Sequence, residues 1–173
     1  MYVSTKNYGP EQGFSVCYRQ WKAQRKSGKT SGVYSSDEVP GCCALHGYAL
    51  GFYFEFESPV LDVRNWVVSF SDLRPLKDFL TNHFDHTLLA AQDDPNLPVF
   101  EQLHQQSLCK LVVVEKTGCE GLSKFLYEYM NEIFLPDHGF PEIHCRLVKV
   151  TETPSNSAWY EQSWEEWQAS KQS

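Results

Sequence analysis

A chain of 173 residues with a formal net charge of −7 is one domain's worth of polypeptide, long enough to bury roughly two thirds of the surface its unfolded form would expose. The acidic balance excludes a nucleic-acid surface, which needs Lys and Arg clustered against phosphate; the one basic run, Lys22 to Lys29, sits among Ser and Gly as a solvated loop. The longest apolar runs, near Leu45 to Phe54 and Leu111 to Val114, fall short of the ~20 residues a bilayer span requires, and six cysteines without Cys-x-x-Cys spacing or a signal peptide read as reduced thiols in a soluble, cytoplasmic protein.

Taken in order, Gly13 to Trp21 reads as a first strand and Trp21 to Gly41 as a long polar loop rich in Ser, Gly and Lys. Leu45 to Glu57 carries the strongest strand signal. Its alternation puts His46, Tyr48, Leu50, Phe52, Phe54 and Phe56 on one face and Gly47, Ala49, Gly51, Tyr53, Glu55 and Glu57 on the other. The aromatic row is core or subunit-interface surface rather than a stacking platform for bases, since no basic residues interleave it. Ser71 is placed to cap a helix beginning at Asp72, with Leu73, Leu76, Leu80 and His83 at helical spacing and Pro75 in or just past the first turn. Asp93-Asp94-Pro95-Asn96 is a turn; Leu97 to Gln106 follows as a short helix and Leu111 to Glu115 as a short strand. A second main helix runs from about Glu120 to Phe134, with Leu122, Phe125, Leu126, Tyr129 and Ile133 as its buried stripe, and Pro136 to Pro141 stops it. His144 to Glu152 is a last long strand, and the aromatic, acidic tail from Trp159 to Ser173 is a further strand or helix that docks on the body or on a neighbouring subunit. The organisation is a single domain over 1–173, with a long loop at 22–41 and an insertion at about 91–116.

Cys42, His46 and the pair Asp85-His86 offer a thiol, a strand-borne imidazole and a carboxylate-oriented imidazole, the parts of a nucleophilic or proton-transfer site. A thiol becomes competent when its neighbours favour the thiolate, which His86 oriented by Asp85 would do if brought within reach, a subunit boundary included. The plainer reading makes Cys42 a small loop residue and Asp85-His86 the end of a helix. Glu120 either contacts a ligand or complements the dipole at its helix N-terminus. Arg19 and Gln20 meet substrate phosphates or belong to a surface or interface, and His83, His104, His138 and His144, without patterned partners, read as surface or structural residues.

The order Cys42-Cys43-Ala44-Leu45-His46-Gly47-Tyr48, then Val67-Val68-Ser69-Phe70-Ser71-Asp72-Leu73, Phe84-Asp85-His86 and Val150-Thr151-Glu152-Thr153 resembles the 6-pyruvoyl and 6-carboxytetrahydropterin synthases, over most of the chain from Gly13 to Tyr160. The four-residue step from Cys42 to His46 is similar to that of the bacterial 6-carboxytetrahydropterin synthases. The resemblance implies an α+β tunnelling fold, with an antiparallel sheet and two main helices on one face, assembled into a barrel as a homo-oligomer, a hexamer built from trimers. It implies that Cys42 moves protons with Asp85 and His86 assisting, and that Glu152 grips a pterin by accepting two parallel N–H bonds, as a carboxylate can. Glu120 stands where the family has a Pro-Thr-x-Glu type of helix start, although Pro98-Val99-Phe100-Glu101 also fits locally.

The family holds zinc with three imidazoles, one from a Phe-x-x-x-His segment and two from His-Gly-His, which strand geometry places on one face. Here the segments are Phe14-Ser15-Val16-Cys17-Tyr18 and His46-Gly47-Tyr48, so His46 keeps its metal-ligand position while Tyr18 and Tyr48 occupy the other two. Phenols, with a pKa near 10, are poor zinc ligands at neutral pH. Cys17, Cys42 and Cys43 are the nearest replacements in sequence, Cys17 on the opposite face of its strand from Tyr18. The implied activity is a carbon-carbon lyase converting 7,8-dihydroneopterin triphosphate to 6-carboxytetrahydropterin, towards 7-deazaguanines such as queuosine precursors. The alternatives are a metal-free lyase or isomerase acting on a pterin or purine-like ring, with Tyr18 and Tyr48 as acid/base or shaping groups, and a non-catalytic pterin-binding protein. A small-molecule pterin is the expected partner, with neither nucleic acid nor membrane.

Overall fold

The computed structural model describes residues 1–23 and 41–171, and the loop read over 22–41 falls largely outside the described residues. In chain order the elements are β1 (Tyr2–Tyr8), β2 (Phe14–Tyr18), β3 (His46–Ser58), α1 (Arg74–Phe84), β4 (Thr87–Ala91), α2 (Leu97–Gln105), β5 (Lys110–Val114), α3 (Cys119–Tyr129), α4 (Leu135–Asp137), β6 (His144–Thr153), β7 (Asn156–Glu161) and α5 (Trp164–Ser170). The strands lie in one sheet in the order β5-β4-β2-β3-β6-β7, with β1 also paired to β3. β1, β2 and β6 run antiparallel to β3, and β7 antiparallel to β6. β4 pairs parallel with both β2 and β5, so the expected antiparallel sheet is extended by a parallel edge.

β3 decides where the core sits. Its alternation holds as expected: Leu50, Phe52, Phe54 and Phe56 are each at most 1% exposed, and α1 and α3 bury Leu76, Leu80, Leu122 and Leu126 in the same cluster. Phe52 meets Phe84 of α1 at 4.9 Å between ring centroids. On the same face of β3 the apolar row stops at Leu50, and the two residues before it in register, Tyr48 and His46, are only half-buried. β4 is buried on both sides. Leu89 belongs to the main core, while Leu88 and Ala90 face a smaller cluster with Phe100 of α2. Among the described residues no helix is long and apolar enough to cross a membrane.

Three local expectations are corrected. Ser71 does not cap α1: the helix starts at Arg74 with Leu73 before it, and the Ser71 hydroxyl meets the Ser69 hydroxyl at 2.7 Å and donates to the Asp72 carboxylate at 3.4 Å. Pro75 sets the later start, because a proline is tolerated only where its missing N–H is not needed, in the first turn. The stripe on α3 holds through Leu126 but fails at Ile133, which is 49% exposed, while Met130 and Phe134 are buried instead. A π-helical turn over Met130–Phe134 adds a residue to the winding and rotates the buried face. Asn131 fastens that turn to the sheet, donating to the carbonyls of Tyr127 and Cys145 at 3.0 Å each and accepting from Cys145 N at 2.9 Å. The C-terminal tail is both a strand and a helix, β7 followed by α5, and the helix opens with a capping box between Ser163 and Glu166.

Candidate functional site

The end of β2 gathers most of the residues that the sequence singles out. Tyr18 is the register partner of His46 across the β2/β3 pair, and Tyr48 lies two residues further along β3 on the same face. Ring centroids are 5.1 Å apart for Tyr18 and His46, 6.1 Å for Tyr18 and Tyr48, and 5.4 Å for His46 and Tyr48. The Tyr18 side chain is wholly buried, and its hydroxyl donates to Glu152 Oε1 from the end of β6. Glu152 is free to turn toward β2 because the β6/β7 pairing shifts register between Thr151 and Thr153, which leaves the residue between them outside the ladder. Burial pushes the Glu152 carboxyl above the ordinary range.

Past the strand end, Gln20 N donates to Cys42 O at 2.7 Å, which ties the turn Gly41–Cys43 to the β2 exit. Cys42 itself is exposed. Cys43 points inward, its thiol against the carbonyls of Gln20 at 3.4 Å and Trp21 at 3.7 Å. Cys17, Cys119 and Cys145 are poor nucleophiles: burial pushes the Cys119 thiol up to about 11 and that of Cys145 well above its usual value, and raises Cys17 as well. Glu120, exposed in the first turn of α3, completes the rim. Gly118 beside it has a positive φ of 97° and lies so close to the Gln20 amide that a Cβ there would sit 2.7 Å from Nε2.

Three sequence expectations change here. Arg19 is not available to phosphates, because it is buried in a two-bond pair with Asp94. Among the described residues, Lys22 and Lys116 line a cleft of about 340 Å³ past the β2 exit, shared with Gln20 and Thr117, with Lys22 paired to Asp93. Asp85 and His86 form the expected pair, with Nδ1 to Oδ1 at 2.8 Å, but at the other end of β2: Ser15 N donates to Asp85 Oδ1 at 3.3 Å, and the His86 ring is open to solvent. Gln20 lies five positions along the chain from Ser15, about 16 Å when extended. Within one chain, then, His46 and Glu152 are joined through Tyr18, the Cys42 turn and the Glu120 helix start both abut Gln20, and the dyad stands apart. His144, read as surface or structural, is structural: it is fully buried between Glu57 Oε1 at 2.8 Å and the Tyr127 hydroxyl at 2.9 Å.

The donor set at the family's zinc position does not fit zinc. His46 Nδ1 lies 2.8 Å from Ala44 O; a carbonyl only accepts, so Nδ1 carries the proton and Nε2 keeps its lone pair. That is one imidazole donor. The Tyr18 proton is already committed to Glu152, and making a buried phenolate there costs more than in water. Among the described residues no group of three or more His, Cys, Asp or Glu side chains is arranged to hold a metal ion.

Residues 10–163 match the family model described as 6-pyruvoyl tetrahydropterin synthase. Among solved structures the chain is similar to an uncharacterised protein of Wolinella succinogenes, with a TM-score of 0.67 at 20% identity, 94% of this chain and 98% of that one being covered. It is also similar to the 6-pyruvoyl tetrahydropterin synthase of Caenorhabditis elegans (TM-score 0.56, 15% identity, 94% and 98% covered) and to that of Plasmodium vivax (TM-score 0.55, 13% identity, 94% and 99% covered). These likenesses show a shared tunnelling fold. No curated protein matches the chain.

Proposed function

This chain belongs to the 6-pyruvoyl tetrahydropterin synthase family, and from that premise we propose that it is a lyase of pterin metabolism. The reaction is the 6-carboxytetrahydropterin synthase type: cleavage of the side chain of 7,8-dihydroneopterin triphosphate, with water taken up and acetaldehyde and triphosphate released, in the supply of 7-deazaguanine and queuosine precursors. The attachment of His46, Glu152 and the Cys42 turn to the same end of β2, at Tyr18 and Gln20, is the observation that supports this reading. The exposed Cys42 thiol moves protons at the substrate side chain, and Glu152 accepts N–H bonds from the pterin edge, its Tyr18 bond leaving other lone pairs free. Glu120 opens α3 next to the close approach of Gly118 and Gln20, and Lys22 and Lys116 offer positive charge for the phosphates.

Asp85 and His86 complete the site only from a neighbouring copy, since in their own chain they face solvent at the far end of β2. The active unit is accordingly a homo-oligomer, built as a barrel of trimers. The donors around His46 do not fit zinc, and proton transfer falls to the side chains themselves. The test is turnover of 7,8-dihydroneopterin triphosphate with acetaldehyde as the readout. Wild type releases it and Cys42→Ala does not; equal release by both would remove Cys42 from the chemistry.

A second reading has its own support in the bond between Tyr18 and Glu152. It is a metal-free lyase or isomerase acting on a pterin or purine-like ring, with phenols where the family has imidazoles. Ring chemistry without acetaldehyde release would favour it, and ligand binding without any turnover would leave a non-catalytic pterin-binding protein.

A further inference from the structure

We infer that Tyr18, His46 and Tyr48 replace the metal ion rather than bind one, so that the site takes a pterin by hydrogen bonds alone, with Tyr18 positioning Glu152 for the ring. The inference deepens the pterin reading above and rests on it.

The first ground is what each donor is already doing. A zinc ion at this place would need the Tyr18 oxygen, yet that hydroxyl is wholly buried and donates to Glu152 Oε1. Taking it for a metal ligand would strip a part-buried carboxylate of its donor and require a buried phenolate, a double cost. Tyr48 contributes a phenol with the same weakness. His46 alone holds a lone pair ready, at Nε2, because Ala44 O fixes the proton on Nδ1. A single neutral imidazole falls short of the three protein ligands that a catalytic zinc site uses.

The second ground is what the replacement supplies. The carboxylate of Glu152 leaves the β6/β7 ladder at a register shift, so the ladder does not hold its direction. A hydroxyl anchored on a neighbouring strand does. Tyr18 cannot swing away, because its ring is packed in the core and its backbone is paired on two sides, to His46 of β3 and to Leu89 of β4. A rigid donor that fixes one carboxylate oxygen leaves the remaining acceptor directions aimed at one place, which suits the row of N–H donors along the edge of a pterin. The ring set thus substitutes shape and hydrogen bonding for Lewis acidity, and the bound ring needs no ion to hold it.

The experiment uses the full-length protein, with neopterin as probe. Metal content is measured on the purified protein, and neopterin binding is titrated after dialysis against EDTA and again with zinc added, for wild type, Tyr18→Phe and Glu152→Gln. The expected result is substoichiometric zinc and the same neopterin affinity in both buffers, weakened about tenfold in Tyr18→Phe and lost in Glu152→Gln. The Tyr18→Phe loss separates a positioning role from a purely structural one if its melting temperature stays near that of wild type. One zinc per chain, with neopterin binding abolished by EDTA and restored by zinc, overturns the inference and leaves the pterin reading standing. Absence of neopterin binding in either buffer overturns both. The metal measurement needs no variant, so a misfolded Tyr18→Phe protein does not rescue the idea.

Discussion

Arg19 and Asp94 hold each other through two hydrogen bonds, Nε to Oδ2 at 2.8 Å and Nη2 to Oδ1 at 2.6 Å, with the Asp94 side chain 1% exposed. The pair bolts the residue after Tyr18 to the turn between β4 and α2. Asp94 also accepts from Asn96 N at 2.8 Å, so one carboxylate shapes the turn and neutralises the cation. Removing one partner leaves a charge buried. Asp94→Ala is expected to lower the unfolding free energy by about 3–5 kcal/mol, whereas the double change Arg19→Met with Asp94→Leu costs far less. Urea denaturation of the three proteins checks this; a loss below about 1 kcal/mol for Asp94→Ala would contradict the burial of the pair.

The adjacent thiols at Cys42 and Cys43 do separate jobs. Cys42→Ala is expected to cost at least ~10²-fold in turnover, the usual size of a proton-transfer contribution, without moving the melting temperature, since the side chain is exposed. Cys43→Ala should do the reverse, losing on the order of 1 kcal/mol of stability with its buried volume and weak bonds while turnover survives. Parallel thermal melts and acetaldehyde assays on the two variants decide it.

His86 adopts φ 53°, the left-handed region that a side chain enters at a cost. His86→Gly should therefore stabilise the fold by roughly 1 kcal/mol and yet reduce turnover, a trade of function against strain. The sharing of the site between copies has its own test. Cys42→Ala and His86→Ala, each inactive alone, should regain activity when unfolded together and refolded as mixed assemblies; mixtures as inactive as either parent would place the dyad outside the chemistry.

The His144 imidazole is held below its ordinary value, first by burial, with the Glu57 carboxylate opposing. When pH falls below about 6.5, the unfolded chain takes up a proton that the buried ring refuses, so the unfolded state binds more protons and stability drops with decreasing pH. The loss runs from about 6.5 down to the lowered folded value and is absent above it. Melting temperatures between pH 5 and 8 should fall on the acid side for wild type, and fall less for His144→Gln, whose side chain does not titrate. An equal slope in both proteins would show that other groups govern the acid limb.

What the sequence made legible follows from periodicity. Leu50, Phe52, Phe54 and Phe56 alternate without interruption, so the main strand and its buried face were readable. β4 was not, because Thr87 to Ala91 is buried on both faces and a short continuous apolar run has no period to read. β1 was missed because Tyr2, Val3 and the polar residues after them are largely exposed and carry little apolar alternation. Ile133 was misplaced by a π turn, which changes the period midway along a helix. At the site the candidates themselves were legible: His46 lies against Tyr18, whose hydroxyl bonds Glu152, and the backbone of Cys42 is tied to Gln20. Their connections were not: Tyr18 and Glu152 lie 134 positions apart, Arg19 and Asp94 lie 75 apart, and no local pattern announces either contact. The separation of Asp85 and His86 from Cys42 depends on which end of β2 each loop returns to, and this is a matter of chain path.

β2 pairs with His46 to Leu50 of β3 and β1 with Phe52 to Ser58, while β6 lies along the opposite edge of the stretch that β1 pairs, with Gly51 opposite Thr151. On the ribosome, the first half of the sheet can zip soon after residue 58 emerges, but its other flank waits for about a hundred further residues. Contacts of such long range make for slow folding, in the millisecond-to-second regime. Until β6 arrives, the β3 edge and its phenylalanine row stand open, and this is the interval in which a chaperone, or a wrong strand, would find the nascent chain.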